Sequence, residues 1–105
     1  MHDSYDDPEP ARADVDTWPG PAVLVFGQTW CGFCQGAQPI IAEAFKDYPQ
    51  VEHVKVGDGK GLPLGRSYRV KLWPTLIFLQ DGQEVARSVR PECADEIREG
   101  LAAIV

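Results

Sequence analysis

The stretch that most constrains the fold is Trp30-Cys31-Gly32-Phe33-Cys34, which joins a strongly apolar run to a helical pattern. A helix N-terminus presents unpaired backbone N–H groups and the positive end of the helix dipole. Both favour a cysteine thiolate over the thiol at that position. Because residues three apart lie on one helical face, Cys34 can reach back and close a disulfide with Cys31. The spacing therefore predicts dithiol–disulfide chemistry on a strand–turn–helix unit.

Hydrophobic periodicity predicts that strands and helices alternate along the rest of the chain. Residues 22–26 form a continuous apolar run, which is typical of a strand buried on both faces. Apolar residues three or four apart then predict an amphipathic helix that is kinked at Pro39 and ends before Pro49. The remaining predicted elements are a strand marked by Val51, Val54 and Val56, a short helix at Leu64 and Tyr68, strands at 75–79 and 84–89 around an Asp81-Gly82 hairpin, and a last helix that begins near Pro91.

Charge is distributed unevenly along the 105 residues, a length that predicts one domain with a single core. Residues 1–21 carry six acidic side chains and one basic one, whereas the rest of the chain is nearly neutral. We expect 1–21 to be an acidic, Asp/Pro-rich and loosely ordered segment with at most a helical turn near 13–17, and 22–105 to be the folded domain. No basic face or membrane-length apolar run is present, so we expect neither nucleic-acid nor membrane binding.

The surroundings of the cysteines predict the compartment and the type of site. The polar stretch after Met1 lacks the charged-then-apolar pattern of an export signal, so we expect a reducing cytoplasm. There, C-x-x-C indicates a redox pair rather than a structural disulfide. No second C-x-x-C and no H-x₃₋₅-H accompany it, so we expect no closed four-ligand zinc site and no other metal site.

At this point the sequence resembles the thioredoxin family, over residues 22–105. Trp30-Cys31-Gly32-Phe33-Cys34 is similar to the family's W-C-G-x-C centre, and Pro39 matches its helix-kinking proline. Trp73-Pro74-Thr75-Leu76 is similar to the loop whose proline is cis in that fold, and the Asp81-Gly82 hairpin follows at the expected distance. All four features occur in order at matching separations, which makes the resemblance specific.

The resemblance implies an α/β fold, a three-layer α/β/α sandwich around a mixed central sheet. It implies that the last two strands run antiparallel to the others, and that the protein is a monomer. No stretch in residues 1–21 has a strand pattern, so the family's first strand has no counterpart that the sequence identifies.

The resemblance also implies a protein thiol–disulfide oxidoreductase that reduces protein disulfides. Cys31, the more exposed thiolate, attacks the substrate disulfide, and Cys34 then attacks Cys31 to release the reduced substrate. The only redox group is the Cys31–Cys34 disulfide, and a flavin- and NADPH-dependent thioredoxin reductase supplies the electrons. Two alternatives stay open: a disulfide isomerase or oxidase, and a non-catalytic adaptor for one partner.

The resemblance places a substrate groove beside the cysteines. The backbone of Trp73, next to a cis Pro74, is expected to pair with an extended substrate segment. Apolar side chains around the sulfurs suit protein substrates better than glutathione alone. The expected substrate-binding residues are Trp30, Gly32, Phe33, Trp73, Pro74 and Arg90.

The first departure from the family pattern concerns the residues expected to take part in proton transfer. Val25 stands where the family has a buried aspartate that takes the proton of the second cysteine. Lys55 best matches the lysine that normally faces this aspartate. His53 lies on the same strand face by parity, and we consider it as a substitute base beside Lys55.

Three other positions carry further expectations. Phe33 replaces the usual proline between the cysteines and predicts a shifted reduction potential. Arg90 replaces a groove-lining glycine and predicts narrower specificity or a preference for acidic partners. Cys93 falls on the apolar stripe of the predicted last helix, which favours a buried structural thiol over a regulatory or intermolecular disulfide.

Overall fold

The computed structural model describes residues 4–105, so Met1, His2 and Asp3 of the predicted acidic segment lie outside the described residues. The elements in chain order are α1 (Arg12–Val15), β1 (Pro21–Gly27), α2 (Gly32–Phe45), β2 (Glu52–Gly57), α3 (Pro63–Ser67), β3 (Thr75–Gln80), β4 (Gln83–Val89) and α4 (Ala94–Ile104). From β1 onward this is the predicted order of strands and helices. Among residues 4–105, no helix is long and apolar enough to span a lipid bilayer.

The strands form a mixed sheet in the order β2-β1-β3-β4. β1 pairs parallel with β2 and antiparallel with β3, and β3 pairs antiparallel with β4. The expectation that both last strands oppose the others is therefore wrong, because only β3 does. The hairpin at Asp81 and Gly82, which have φ of 51° and 79°, reverses the chain so that β4 runs in the direction of β1.

Apolar side chains cover both faces of the sheet, which confirms the three-layer arrangement. Alternate residues of β1 point to opposite faces, so Val23 and Val25 join one cluster while Leu24 and Phe26 join the other. The first cluster is covered by α2 and α4, and the second by α1 and α3. The continuous apolar run at 22–26 is thus explained by burial on both faces.

The N-terminal segment is packed against the domain rather than loosely attached. Tyr5 is 7 % exposed and belongs to the cluster under α2, whereas Val15 is fully buried in the opposite cluster. The Glu9 carboxylate accepts the Leu64 backbone N–H, and the Arg12 guanidinium donates to the Ser67 carbonyl at 3.1 Å. Composition alone predicted a loosely ordered segment because single apolar anchors produce no periodicity. Residues 4–20 contain no strand, so within the described part the family's first strand is absent.

The end of α2 agrees with prediction, whereas the start of α4 differs. α2 ends at Phe45, four residues before Pro49, and encloses the exposed Pro39. The prediction of a buried Cys93 is wrong, because this residue is exposed and caps α4 with φ −148° and ψ 160°. An extended N-cap residue is out of phase with the helix that follows, so its side chain leaves the apolar stripe. Ile97 and Leu101 on that stripe are buried as expected.

Candidate active site

The turn between β1 and α2 presents the two cysteines at different depths. Cys31 is the N-cap of α2, and its sulfur accepts the backbone N–H of Cys34 at 3.2 Å. The Gln35 side-chain amide donates to the Thr29 carbonyl at 2.9 Å and fastens this turn to the first helical turn. Cys31 is 8 % exposed and Cys34 only 1 %, and both are free thiols. An incoming disulfide therefore meets Cys31 first.

Electrostatics separate the two sulfurs further. Burial raises the pKa of the Cys34 thiol, and the adjacent Cys31 sulfur raises it too, while the Arg90 charge acts weakly in the opposite direction. Cys34 therefore stays protonated in the reduced protein. The Cys31 sulfur, in contrast, accepts a backbone N–H at the start of the helix. Burial and hydrogen bonding thus distinguish the two sulfurs.

Aromatic side chains form a rim around the cysteines. Trp30 is 70 % exposed and Phe33 is 61 % exposed, although both are large and apolar. Trp30 meets Trp73 edge-on, with the ring centroids 5.5 Å apart. Gly32 lies in open space between the cysteines. The structure thus brings these residues together at one surface.

A groove of about 590 Å³ runs beside this rim. Its walls include Gly32 and Phe33 from the start of α2, and Pro74, Arg90 and Pro91 from the loops opposite. The Trp73–Pro74 peptide bond is cis. The groove is therefore an extended apolar surface that ends at the cysteine turn.

Arg90 forms hydrogen bonds with the backbone carbonyls beside this groove. Its own N–H donates to the Pro74 carbonyl, and its Nε donates to the Trp73 carbonyl, both at 2.9 Å. Its guanidinium carbon lies 4.0 Å from the centroid of the Phe33 ring. The Trp73 carbonyl, expected to pair with substrate backbone, is thus already occupied by a side chain.

Asp58 is a site residue that the sequence did not reveal. It is 8 % exposed, and its Oδ2 accepts the Trp73 indole N–H at 2.8 Å. Its backbone N–H donates to the Gly27 carbonyl at 3.0 Å, and its carbonyl accepts the Gln28 side chain. Asp58 therefore ties the end of β1 to Trp73. An aspartate in the glycine-rich 57–61 loop carries no local signal of this role.

The two candidates for proton transfer lie in different places. Lys55 lines a small polar pocket behind Cys34, with its ammonium 5.6 Å from the Tyr5 ring centroid. His53 lies two residues earlier on β2, where it pairs with Val23, and its ring packs against Phe45 with centroids 4.5 Å apart. The structure therefore brings Lys55 to the cysteines and does not bring His53 there.

With Val25 in the aspartate position, none of the described residues that line the pocket behind Cys34 carries a carboxylate. The Val25 side chain is fully buried in the cluster that also contains Cys34 and Tyr5. Tyr5 is the second residue that the sequence did not reveal, since it comes from the acidic segment. Among residues 4–105, no cluster of three or more His, Cys, Asp or Glu side chains could hold a metal ion.

Comparison with known proteins gives a consistent set of relatives. A family model described as Thioredoxin matches residues 11–103. The solved structure of reduced thioredoxin 2 from Pseudomonas aeruginosa PAO1 is 53 % identical, with a TM-score of 0.84 over 96 % of this chain and 94 % of that chain.

Two curated relatives are more distant. Thioredoxin-1 of Saccharomyces cerevisiae is 32 % identical over 81 residues, which are 77 % of this chain and 78 % of that protein. Thioredoxin H-type of Fagopyrum esculentum is 34 % identical over 67 residues, or 64 % of this chain. The match spans only 58 % of the length of this plant relative.

Proposed function

This chain belongs to the thioredoxin family of thiol–disulfide oxidoreductases, and we propose that it reduces disulfides in other proteins. The observation that carries the proposal is the placement of the two sulfurs. Cys31 caps α2 and keeps 8 % of its surface exposed, whereas Cys34 lies one turn behind it with 1 % exposed and stays a thiol. One sulfur is thus positioned to attack and the other to resolve.

The proposed reaction has two exchange steps. The Cys31 thiolate forms a bond to one sulfur of the substrate disulfide, whose S–S bond breaks, and the second substrate sulfur leaves as a thiolate. Cys34 then loses its proton and attacks the Cys31 sulfur, which releases the first substrate sulfur. The substrate has gained two electrons, and the protein holds a Cys31–Cys34 disulfide.

The groove supports protein disulfides as substrates. Trp30 and Phe33 leave large apolar surfaces exposed at the rim, which monomeric proteins keep mainly where they bind partners. The substrate segment adjacent to the disulfide lies between Phe33 and Pro74 in this proposal. Arg90 narrows the choice of substrate and favours acidic partners, because its guanidinium faces the groove and its Nε competes for the Trp73 carbonyl.

The reaction cycle also requires an electron donor. We propose a flavin- and NADPH-dependent thioredoxin reductase as the donor, with no cofactor bound to this chain. The protein would act as a monomer in a reducing compartment such as the cytoplasm. Reduction of the oxidised protein by such a reductase with NADPH tests this part directly.

Insulin reduction by dithiothreitol tests the main proposal. We expect the chain to accelerate it and Cys31→Ser to abolish the acceleration. Cys34→Ser should stall substrates on Cys31 as mixed disulfides, whereas the exposed Cys93→Ser serves as the matched control and should behave like the parent. Partner binding that survives replacement of both Cys31 and Cys34, without any insulin reduction, would instead identify an adaptor.

The direction of the reaction is tested by the reduction potential of the Cys31–Cys34 pair. Equilibration with glutathione should give a potential in the reducing range of thioredoxins, about −270 mV. A potential near that of protein disulfide isomerase, about −180 mV, would indicate an isomerase or oxidase.

A further inference from the structure

In the proposed mechanism, Cys34 must give up a proton, and no carboxylate of residues 4–105 lines the pocket behind it. The family's aspartate position is Val25, and the candidate His53 packs at the far end of α2. One polar group beside Cys34 comes from the N-terminal segment. We propose that the Tyr5 hydroxyl is a positioning group that donates a hydrogen bond to the Cys34 sulfur as it becomes a thiolate in the resolving step. This inference rests on the proposed reductase function.

Gly27 allows the phenol and the sulfur to approach each other. A Cβ atom at Gly27 would lie 2.5 Å from the Cys34 sulfur and 3.2 Å from both Cε1 and Cζ of Tyr5. Any side chain at this position would therefore displace one of the two. Because residue 27 is a glycine, the tyrosine ring and the sulfur face each other across the end of β1.

The Tyr5 hydroxyl is a hydrogen-bond donor that lacks a well-placed acceptor within the described residues. It is buried and has no partner within residues 4–105 that meets full hydrogen-bond geometry, although Gln38 from α2 lies close enough to lower the Tyr5 pKa as a weak hydrogen-bond partner. Leaving a buried hydroxyl unpaired is costly. A thiolate on Cys34 is a strong acceptor that would satisfy this donor, so the cost would be recovered as the thiolate forms.

The charges around the phenol suit a donor rather than a base. Burial raises the pKa of Tyr5, and the sulfurs of Cys34 and Cys31 raise it as well, so Tyr5 remains a neutral phenol. The Lys55 ammonium faces it from β2, and Arg90 acts on Cys34 from the loop after β4. Tyr5 therefore keeps its own proton, and the Cys34 proton passes to water in the polar pocket beside Lys55.

Reaction of the reduced protein with 5,5′-dithiobis(2-nitrobenzoate) separates the two steps when the exposed Cys93, whose thiol would also release nitrothiobenzoate, is replaced by serine in the parent and in every variant. The first release of nitrothiobenzoate reports attack by Cys31, and the second reports attack by Cys34 on the mixed disulfide. For Tyr5→Phe we expect the second phase to slow about tenfold, the effect of losing one hydrogen bond to a charged group. Its pH dependence should move to higher pH, and the first phase should be unchanged.

Tyr68→Phe is the matched control. Tyr68 is the other buried tyrosine whose hydroxyl has no partner in the described residues, and it lies in the cluster on the opposite face of the sheet. Removing an unpaired hydroxyl while keeping the ring leaves the fold intact. Equal second phases in the parent, Tyr5→Phe and Tyr68→Phe would overturn the inference. Loss of the second phase in the parent itself would instead overturn the proposed reductase function.

Discussion

At the scale of single residues, Arg90 is a cation in a backbone conformation that favours glycine. Its φ is 49°, in the left-handed region that side chains with a Cβ rarely adopt. The hydrogen bond to the Trp73 carbonyl and the contact with Phe33 hold it there. The sequence showed only that a charged residue stands where the family has a glycine. The structure shows that this residue forms a hydrogen bond with the Trp73 carbonyl beside the groove.

Replacing Arg90 by glycine should therefore widen the substrate range. Arg90→Gly removes the unfavourable φ. It also frees the Trp73 carbonyl for a hydrogen bond worth about 1 kcal/mol, or about fivefold in kcat/KM for protein disulfides. Activity toward a small disulfide such as hydroxyethyl disulfide should not change, because it needs no backbone pairing. The gain should be smallest for acidic substrates, which lose an attractive charge.

Arg69→Gly is the control for this change. Arg69 has φ 59°, is exposed, and follows α3 away from the groove. Relief of strain alone should raise the stability of both variants, whereas only Arg90→Gly should alter kcat/KM. Unchanged activity of Arg90→Gly across several protein disulfides would contradict a role in specificity.

The hydrogen bond between Trp73 and Asp58 leads to a second prediction for a single residue. Asp58→Ala leaves the partly buried Trp73 indole N–H without its acceptor and should lower the free energy of unfolding by about 1 kcal/mol. It should also raise KM for protein disulfides, since Trp73 forms part of the rim. Asp58→Asn keeps an acceptor oxygen and should retain most of both properties. Urea unfolding and insulin kinetics measure them, and equal effects of Ala and Asn would disprove the anchoring role.

At the scale of elements, hydrophobic periodicity predicted the strands and helices whose side chains pack into the core. The strands β1 and β3 and the helix α2 carry strong apolar patterns because the sheet is covered on both faces. Cys93 was misplaced because the pattern continues through the N-cap, where the backbone leaves helical phase. The roles of Tyr5 and Asp58 depend on contacts between residues distant in sequence, which no local pattern records.

The start of α2 makes the stability of the reduced protein depend on pH. The raised pKa of Cys34 means that the folded protein keeps this proton where the unfolded chain has released it. Its contribution is fully present below the ordinary thiol pKa of about 8.5 and is lost as pH rises above it, at most about 1.4 kcal/mol per pH unit.

Urea unfolding between about pH 7 and about pH 9.5 tests this linkage. The reduced protein should lose stability over the upper part of the range. The oxidised protein should show a smaller loss, because Cys34 cannot titrate in a disulfide while Cys93 is present in both samples. Parallel curves for the two redox forms would rule out a buried, protonated Cys34.

At the scale of the whole molecule, the N-terminal segment connects the two faces of the sheet. Tyr5 reaches the cluster that contains the cysteines, and Val15 reaches the cluster on the other side. Glu9 and Arg12 fasten the segment to α3 and the residues around it. The acidic N-terminal segment, which composition predicted to be loosely ordered, thus contributes to the core and lies beside the cysteines.

These two anchors should have separable effects. Val15→Ala removes buried apolar volume and should lower the free energy of unfolding by about 1–3 kcal/mol, with both nitrothiobenzoate phases unchanged. Tyr5→Phe should do the reverse, slowing the second phase with little loss of stability. Because the anchors lie on opposite faces and share no partner, the double variant should show the sum of both effects. A second phase that slows in Val15→Ala would mean that Tyr5 acts only by holding the segment in place.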